Sequence, residues 1–208
     1  GSDNTTSGWA YGNMAMVSGI ATSISMTTNT GVVGGGNFAL SMNADGIMTD
    51  SVNSSFYGVM SMDKSMIVAT DTNSGGHPEI WVMMRTTTAS TADMMGDWVM
   101  HSVSSGNSGS RGWTYGHSVV DTNGNDTFSG MMGSAGPVSA TQMTFSMSGG
   151  EMTMSGTGGG TGGGMGGGMM GGGMMTSTFH GIMNGAKNIM VSNYSDGSGG
   201  YPFTMQVK

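Results

Sequence analysis

"FHGIMNGAKNIMV", Phe179 to Val191, repeats the pattern of "FYGVMSMDKSMIV", Phe56 to Val68. In each, an apolar run follows an aromatic residue and a glycine, breaks at a short polar stretch ending in Lys, and resumes. Two short apolar runs separated by turn-forming residues read as paired β-strands. Lys64 and Lys187 occupy matched positions beside these strands. There they cap a turn or guard a strand edge against aggregation; neither has a neighbour that suggests chemistry.

The match extends outward on both sides. "GWAYG" at Gly8–Gly12 corresponds to "GWTYG" at Gly112–Gly116, and "GGHPEIWVMMR", ending at Arg85, to "GGYPFTMQVK", ending at Lys208. "LSMNADGIMT" (Leu40–Thr49) lines up more loosely with "FSMSGGEMT" (Phe145–Thr153). Ordered anchors of this kind indicate an internal duplication. The offset is 104 at the Trp anchor and 123 at the Phe anchor. The 19-residue difference falls between Thr153 and Phe179, where "GTGGGTGGGMGGGMMGGGMM" (156–175) is a loop insertion. Loop-closure entropy grows only logarithmically with length, so such an insertion is tolerable.

Between the anchors, small polar and apolar residues alternate in short runs. Asn, Asp and Gly punctuate them, as in "NADG" (Asn43–Gly46) and "DTNGND" (Asp121–Asp126). No segment combines helical periodicity with helix caps. The expected strands in the first copy are 8–18, 20–28, 36–43, 46–52, 54–62, 64–72 and 78–85. In the second they are 97–104, 111–121, 126–132, 140–148, 151–156, 174–184, 187–195 and 201–208. The reading is all-β: two tandem homologous antiparallel β-meander domains, each a barrel or sandwich. The first spans 1–85 and the second 93–208. Thr86–Ala92 is a Thr-rich, extended linker. The first copy has no counterpart of "MGDWVMHSV" (Met95–Val103), so it carries either a trimmed N-terminus or a vacant strand edge.

Composition narrows the function. Net charge is −7, with 8% charged residues, which excludes the basic footprint that nucleic acid requires. No apolar run approaches a membrane-spanning length. Cysteine is absent, so disulfides, thiolate metal sites and a cysteine nucleophile are all excluded. A surface dominated by Ser, Thr, Asn and Gly is common in secreted and cell-surface β-proteins. There are 27 Met and one Leu, Leu40. Packing does not favour that exchange, because Leu fits an ordered core better than flexible Met. Such a composition would arise if the letters had been assigned to a density map, with Met standing for Leu or long unbranched side chains and Gly for side chains not seen.

The candidate sites are few. Trp9 and Tyr11, like Trp113 and Tyr115, are two apart and so face one side of a strand. These four are candidates for sugar stacking, against the plainer reading that they fill a core. Residues near Gly8–Val17 and Phe203–Lys208 are the expected subunit contacts, represented by Trp9, Tyr11, Phe203, Met205 and Val207. Met165, Met169, Met170, Met174 and Met175, with His180 nearby, could offer soft thioethers to Cu(I), although ordering their glycines would be costly. Asp121, Asn123 and Asn125 resemble half a calcium loop but lack its distal Glu. His77, His101, His117 and His180 have no paired spacing for zinc. Asp45, Asp71, Asp121, Asp126 and Asp196 read as turn formers. No catalytic, cofactor or metal constellation emerges, and the expectation is a non-enzymatic extracellular protein. Its best-fitting role is as the subunit of a filament or surface layer, built by strand pairing and apolar packing between copies. The alternatives are a carbohydrate-binding module and a Met-rich Cu(I) binder.

Tandem mass spectrometry across Gly150–Phe179 and the Met-rich strands decides what the composition means. Peptides with Met and Gly as written make 156–175 a true low-complexity insertion. Leu, Lys, Glu or Gln in their place would dissolve the thioether motif and leave the repeat standing.

Overall fold

The computed structural model of the chain describes residues 8–18, 20–28, 31–34, 38–72, 76–106, 111–139, 142–154, 179–195 and 199–208. It divides into two compact units, Ala10–Arg85 and Thr86–Lys208, the latter joined by Trp9.

In the N-terminal unit, β1 (Ala10–Val17), β2 (Ile20–Thr28) and β3 (Gly31–Gly34) form one antiparallel sheet in that order. β4 (Leu40–Met42), β5 (Ile47–Asp50), β6 (Tyr57–Met60), β7 (Met66–Thr72) and β8 (Pro78–Met84) form a five-stranded meander. A single bridge, Ile20 to Ala39, joins β2 to the chain just before β4. β3 lies outside the strands expected from sequence. Its "GVVG" is a four-residue run between glycines, too short for alternation to register.

The C-terminal unit begins with a correction. The 86–92 stretch is not wholly extended: α1 (Thr91–Met94) starts within it. Ser90 and Asp93 form a reciprocal capping box, in which Asp93 Oδ2 accepts from both the backbone N–H and the hydroxyl of Ser90, at 2.9 and 3.1 Å. One helical turn offers no periodicity to read, so the Ser90–Asp93 spacing was the only sequence signal. The strands follow: β9 (Gly96–Gly106), β10 (Gly112–Val120), β11 (Asn125–Gly133), the two-residue β12 (Gly136–Pro137), β13 (Met143–Ser148), β14 (Glu151–Met154), β15 (His180–Met183), β16 (Ile189–Asn193) and β17 (Gly200–Val207). Successive strands pair antiparallel, with β12 a flap on β11. β9 lies between β17 and β10, with eight register partners on one side and nine on the other. The result is a closed eight-stranded antiparallel barrel, which has no open sheet edge in its wall.

Local geometry recurs between the units. Lys64 and Lys187 both have φ of 58°, in the left-handed region that few residues other than Gly adopt. Each lysine N–H closes a turn, on Ser61 O at 2.8 Å and Asn184 O at 3.0 Å. The hydroxyls of Ser41 and Thr49 meet at 3.1 Å, and those of Ser146 and Thr153 at 3.0 Å. Gly12 and Gly116 sit at matched, crowded points. A Cβ would strike the Ser25 carbonyl at the first and Met131 at the second.

Inside the barrel, Met94, Met100, Met152, Met183 and Met190 are fully buried beside Trp98, Val120, Phe128 and Phe145. Trp98 locks the end of the core. Its Nε1 donates to Met94 O at 2.7 Å, and the Lys208 ammonium lies 4.8 Å from its ring centroid. Lys187 and Lys208 both reach Asp93, the first through an ion pair to its carboxylate at 2.8 Å, the second by donating to its carbonyl at 3.0 Å. Trp98→Ala is expected to cost about 3–5 kcal/mol by leaving a large cavity, measurable by urea denaturation. Lys187→Met should leave stability nearly unchanged in the same measurement, because that pair is solvent-exposed and screened.

Candidate functional site

Over part of β9, β10 and β17 the usual barrel polarity is reversed. Beside the inward Trp98, Met100 and Val120, these strands also turn small or polar side chains inward: Ser102, Thr114, Ser118, Thr204 and Gln206, joined from β11 by Asp126, all buried. Most of the side chains pointing outward from the same stretch are apolar or aromatic. The register sets them in rows across three strands: Trp113, Val103 and Phe203; Tyr115, His101 and Met205; His117, Val99 and Val207. Directly opposed side chains on neighbouring strands lie within contact range. Across the strands Tyr115 stacks on its partner His101 at 5.8 Å and 23°, and along β10 it stacks on Trp113 at 5.8 Å and 16°. Val103, Trp113 and Tyr115 are 53%, 47% and 42% exposed. Gly116 helps explain the parity. Having no side chain, it can face inward against Met131, which turns its neighbours Tyr115 and His117 outward.

The interior polar residues form a partial network. Gln206 Nε2 donates to Ser118 Oγ at 3.1 Å and Asp126 Oδ2 at 3.4 Å. Thr204 Oγ1 donates to Ser102 Oγ at 3.0 Å, and Ser102 Oγ to Phe203 O at 3.2 Å. Asp126 Oδ1 and Thr114 Oγ1 are shielded from solvent and lack a protein partner. A cavity of about 20 Å³ beside Asp126, lined also by Ser192, Thr204, Gln206 and Tyr194, is enough for one water. Burial pushes the Asp126 carboxyl up to about 6, only partly offset by hydrogen bonds from Ser118 and Gln206.

The sequence-selected residues disperse. Trp9 is buried: its Nε1 donates to Ser195 Oγ at 2.7 Å and its ring lies 5.9 Å from His180. Tyr11 is half-buried on β1. Of the two aromatic pairs, only Trp113 and Tyr115 form an exposed stacked pair among the described residues. Phe203, Met205 and Val207 share the outer face of β17. Met165, Met169, Met170, Met174 and Met175 lie outside the described residues, as does Asp196. Asp121 is a turn former, its Oδ1 accepting from the N–H of Asn123 and Asn125 at 2.8 and 2.9 Å.

Asp71 and Asp126 are not turn formers; both are buried within strands. Asp71 receives both oxygens' bonds from Asn53 Nδ2, at 2.9 and 2.8 Å, and another from Ser55 Oγ at 2.7 Å. Asp126 shares parity with Phe128, and that parity was the available signal that it points inward.

Comparison of the chain with protein-family models, curated proteins and solved structures finds no match.

The Asp126 carboxyl holds its proton more tightly in the fold than in the unfolded chain. Its contribution is therefore neutral below pH ~4, becomes destabilising as pH rises toward 6, and is constant above that. The full cost is about 3 kcal/mol. Asp126→Asn should raise stability at pH 7.5 by up to that amount and flatten the profile between pH 4 and 7, as read by denaturation at stepped pH.

Proposed function

We propose that this chain is a structural subunit of an extracellular assembly, a filament or surface layer, held together by apolar packing and strand pairing between copies. The observation carrying this reading is the outward apolar face of β9, β10 and β17. Monomeric proteins rarely leave large contiguous apolar patches in water, and such patches mark interaction surfaces. Here the surface is a regular grid on rigid strands, which suits a fixed interface between subunits. The low charge and the Ser, Thr, Asn and Gly surface support an extracellular setting. Among the described residues no group of three or more His, Cys, Asp or Glu gathers as a metal site would, and the interior Asp126 is enclosed. Neither feature favours catalysis.

A second reading rests on the Trp113–Tyr115–His101 stack: a flat exposed aromatic ladder is the shape that a sugar ring's apolar face packs against. A glycan array with the wild-type chain and Trp113→Ala tests it. Retained binding in the variant, or no binding at all, removes it.

For the structural reading, sedimentation velocity and negative-stain microscopy at rising concentration should reveal polymers. Val103→Lys together with Met205→Lys should abolish them while leaving the far-UV dichroism and melting temperature essentially unchanged. A monodisperse monomer at high concentration, without fibres, would end the proposal.

A further inference from the structure

We infer that the N-terminal unit is a β-strand acceptor. The gap between β1 and β8 takes one extended segment of another polypeptide, with large apolar side chains at alternate positions on its inward face. The inference deepens the assembly reading, since an accepted strand links subunits, but its observations come from the N-terminal unit and its comparison with the barrel.

The two units run through the same strand order. β10, β11, β13, β14, β15, β16 and β17 have β1, β2, β4, β5, β6, β7 and β8 as counterparts, with the lysine turns and hydroxyl pairs at matching places. The barrel has one more strand. β9 lies between β17 and β10, antiparallel to both. Among the described residues, β8 pairs with β7 alone along 80–84 and β1 with β2 alone along 12–17. Wall strands flanking a missing neighbour present rows of backbone donors and acceptors that template another strand.

Register identifies the groups that face the gap. Arg85 N–H donates to Ser65 O at 3.0 Å, so Met83 and Trp81 direct their backbone groups to β7. The backbone groups of Ile80, Val82 and Met84 therefore point the other way.

Burial supports the same site. Met16 on β1 and Trp81 and Met83 on β8 pack against the core of Leu40, Met48, Phe56 and Ala69, yet all three are only half-buried. Their barrel counterparts Val120, Thr204 and Gln206 are buried under the flanking β9 wall. Trp81 Nε1 is shielded from solvent and has no acceptor. The core is thus uncovered along the line where the barrel has its extra strand.

β9 supplies the chemistry of the occupant. It directs Trp98, Met100 and Ser102 inward, and Val99, His101 and Val103 outward. A segment with that alternation would cover Met16, Trp81 and Met83 and bond both edges. Shifting the parity by one residue would turn its large side chains out to solvent.

The test uses the full chain and a fluorescent peptide of the sequence Gly96–Gly106, GDWVMHSVSSG. Anisotropy should show saturable binding, and hydrogen exchange should show new protection at Ile80, Val82 and Met84. A peptide in which Trp98 and Val99, and Met100 and His101, trade places should bind at least about tenfold more weakly. Val82→Pro removes an N–H that faces the gap but none that bonds β7, so it should abolish binding and leave the fold intact. Val82→Thr keeps that N–H and should bind like wild type, which separates loss of the edge from loss of the side chain. No binding by the wild-type chain overturns the inference. Binding untouched by Val82→Pro also overturns it, placing the peptide elsewhere, as in exchange with β9. A dimer made by β8 pairing with itself, which the peptide fails to displace, overturns it in favour of edge-to-edge association. Peptide binding with no polymer at any concentration leaves the acceptor standing and removes only the assembly reading.

Discussion

The C-terminal unit depends on backbone hydrogen bonding along both edges of a single strand. β9 satisfies β17 on one side and β10 on the other, and only with it in place does the meander become a cylinder. Closure then dictates the interior. A ring of eight strands encloses room for side chains and little else, so each inward position must suit its neighbours across the barrel. Phe128, Phe145 and the buried methionines occupy much of that volume. Along β10 and β17 most inward positions hold glycine, serine, threonine or glutamine, and the aromatic side chains lie outside.

That displacement joins the two unusual features of the barrel. The stacked Trp113, Tyr115 and His101 outside and the Ser118, Asp126 and Gln206 group inside are opposite faces of one stretch of wall. The interior group is imperfectly satisfied and costs stability at neutral pH. The exterior group presents apolar and aromatic side chains to solvent, and it is the face on which the proposed assembly rests.

Much of the fold was legible in sequence because turn chemistry is local. "NADG", "DTNGND" and the lysine turns mark strand ends by residues whose preferences do not depend on distant contacts. The all-β class and most strand positions follow from them. What alternation cannot reveal is which parity faces in. In "GWTYGHSVV" the aromatic parity, Trp113 and Tyr115, looks like the core and is the outside. The deciding residue is Gly116, whose role depends on Met131 across the sheet. Asp126 is a similar case: next to Asn and Gly it looks like a turn residue, and its pairing with Val120 on β10 and Met143 on β13 places it in a wall. Trp9 matches Trp113 in sequence yet lies buried against Ser195 and His180, because its surroundings differ where its motif does not.

The thioether-rich interior has a consequence in redox chemistry. Methionine oxidises to a polar sulfoxide that an apolar core cannot accommodate, and peroxide reaches the sulfur only when solvent does. Met62 stands fully exposed, whereas Met94, Met152 and Met190 are sealed. The chain therefore carries its own graded set of chemical clocks. Surface sulfurs record exposure to oxidant, and the sealed ones record how often the barrel opens.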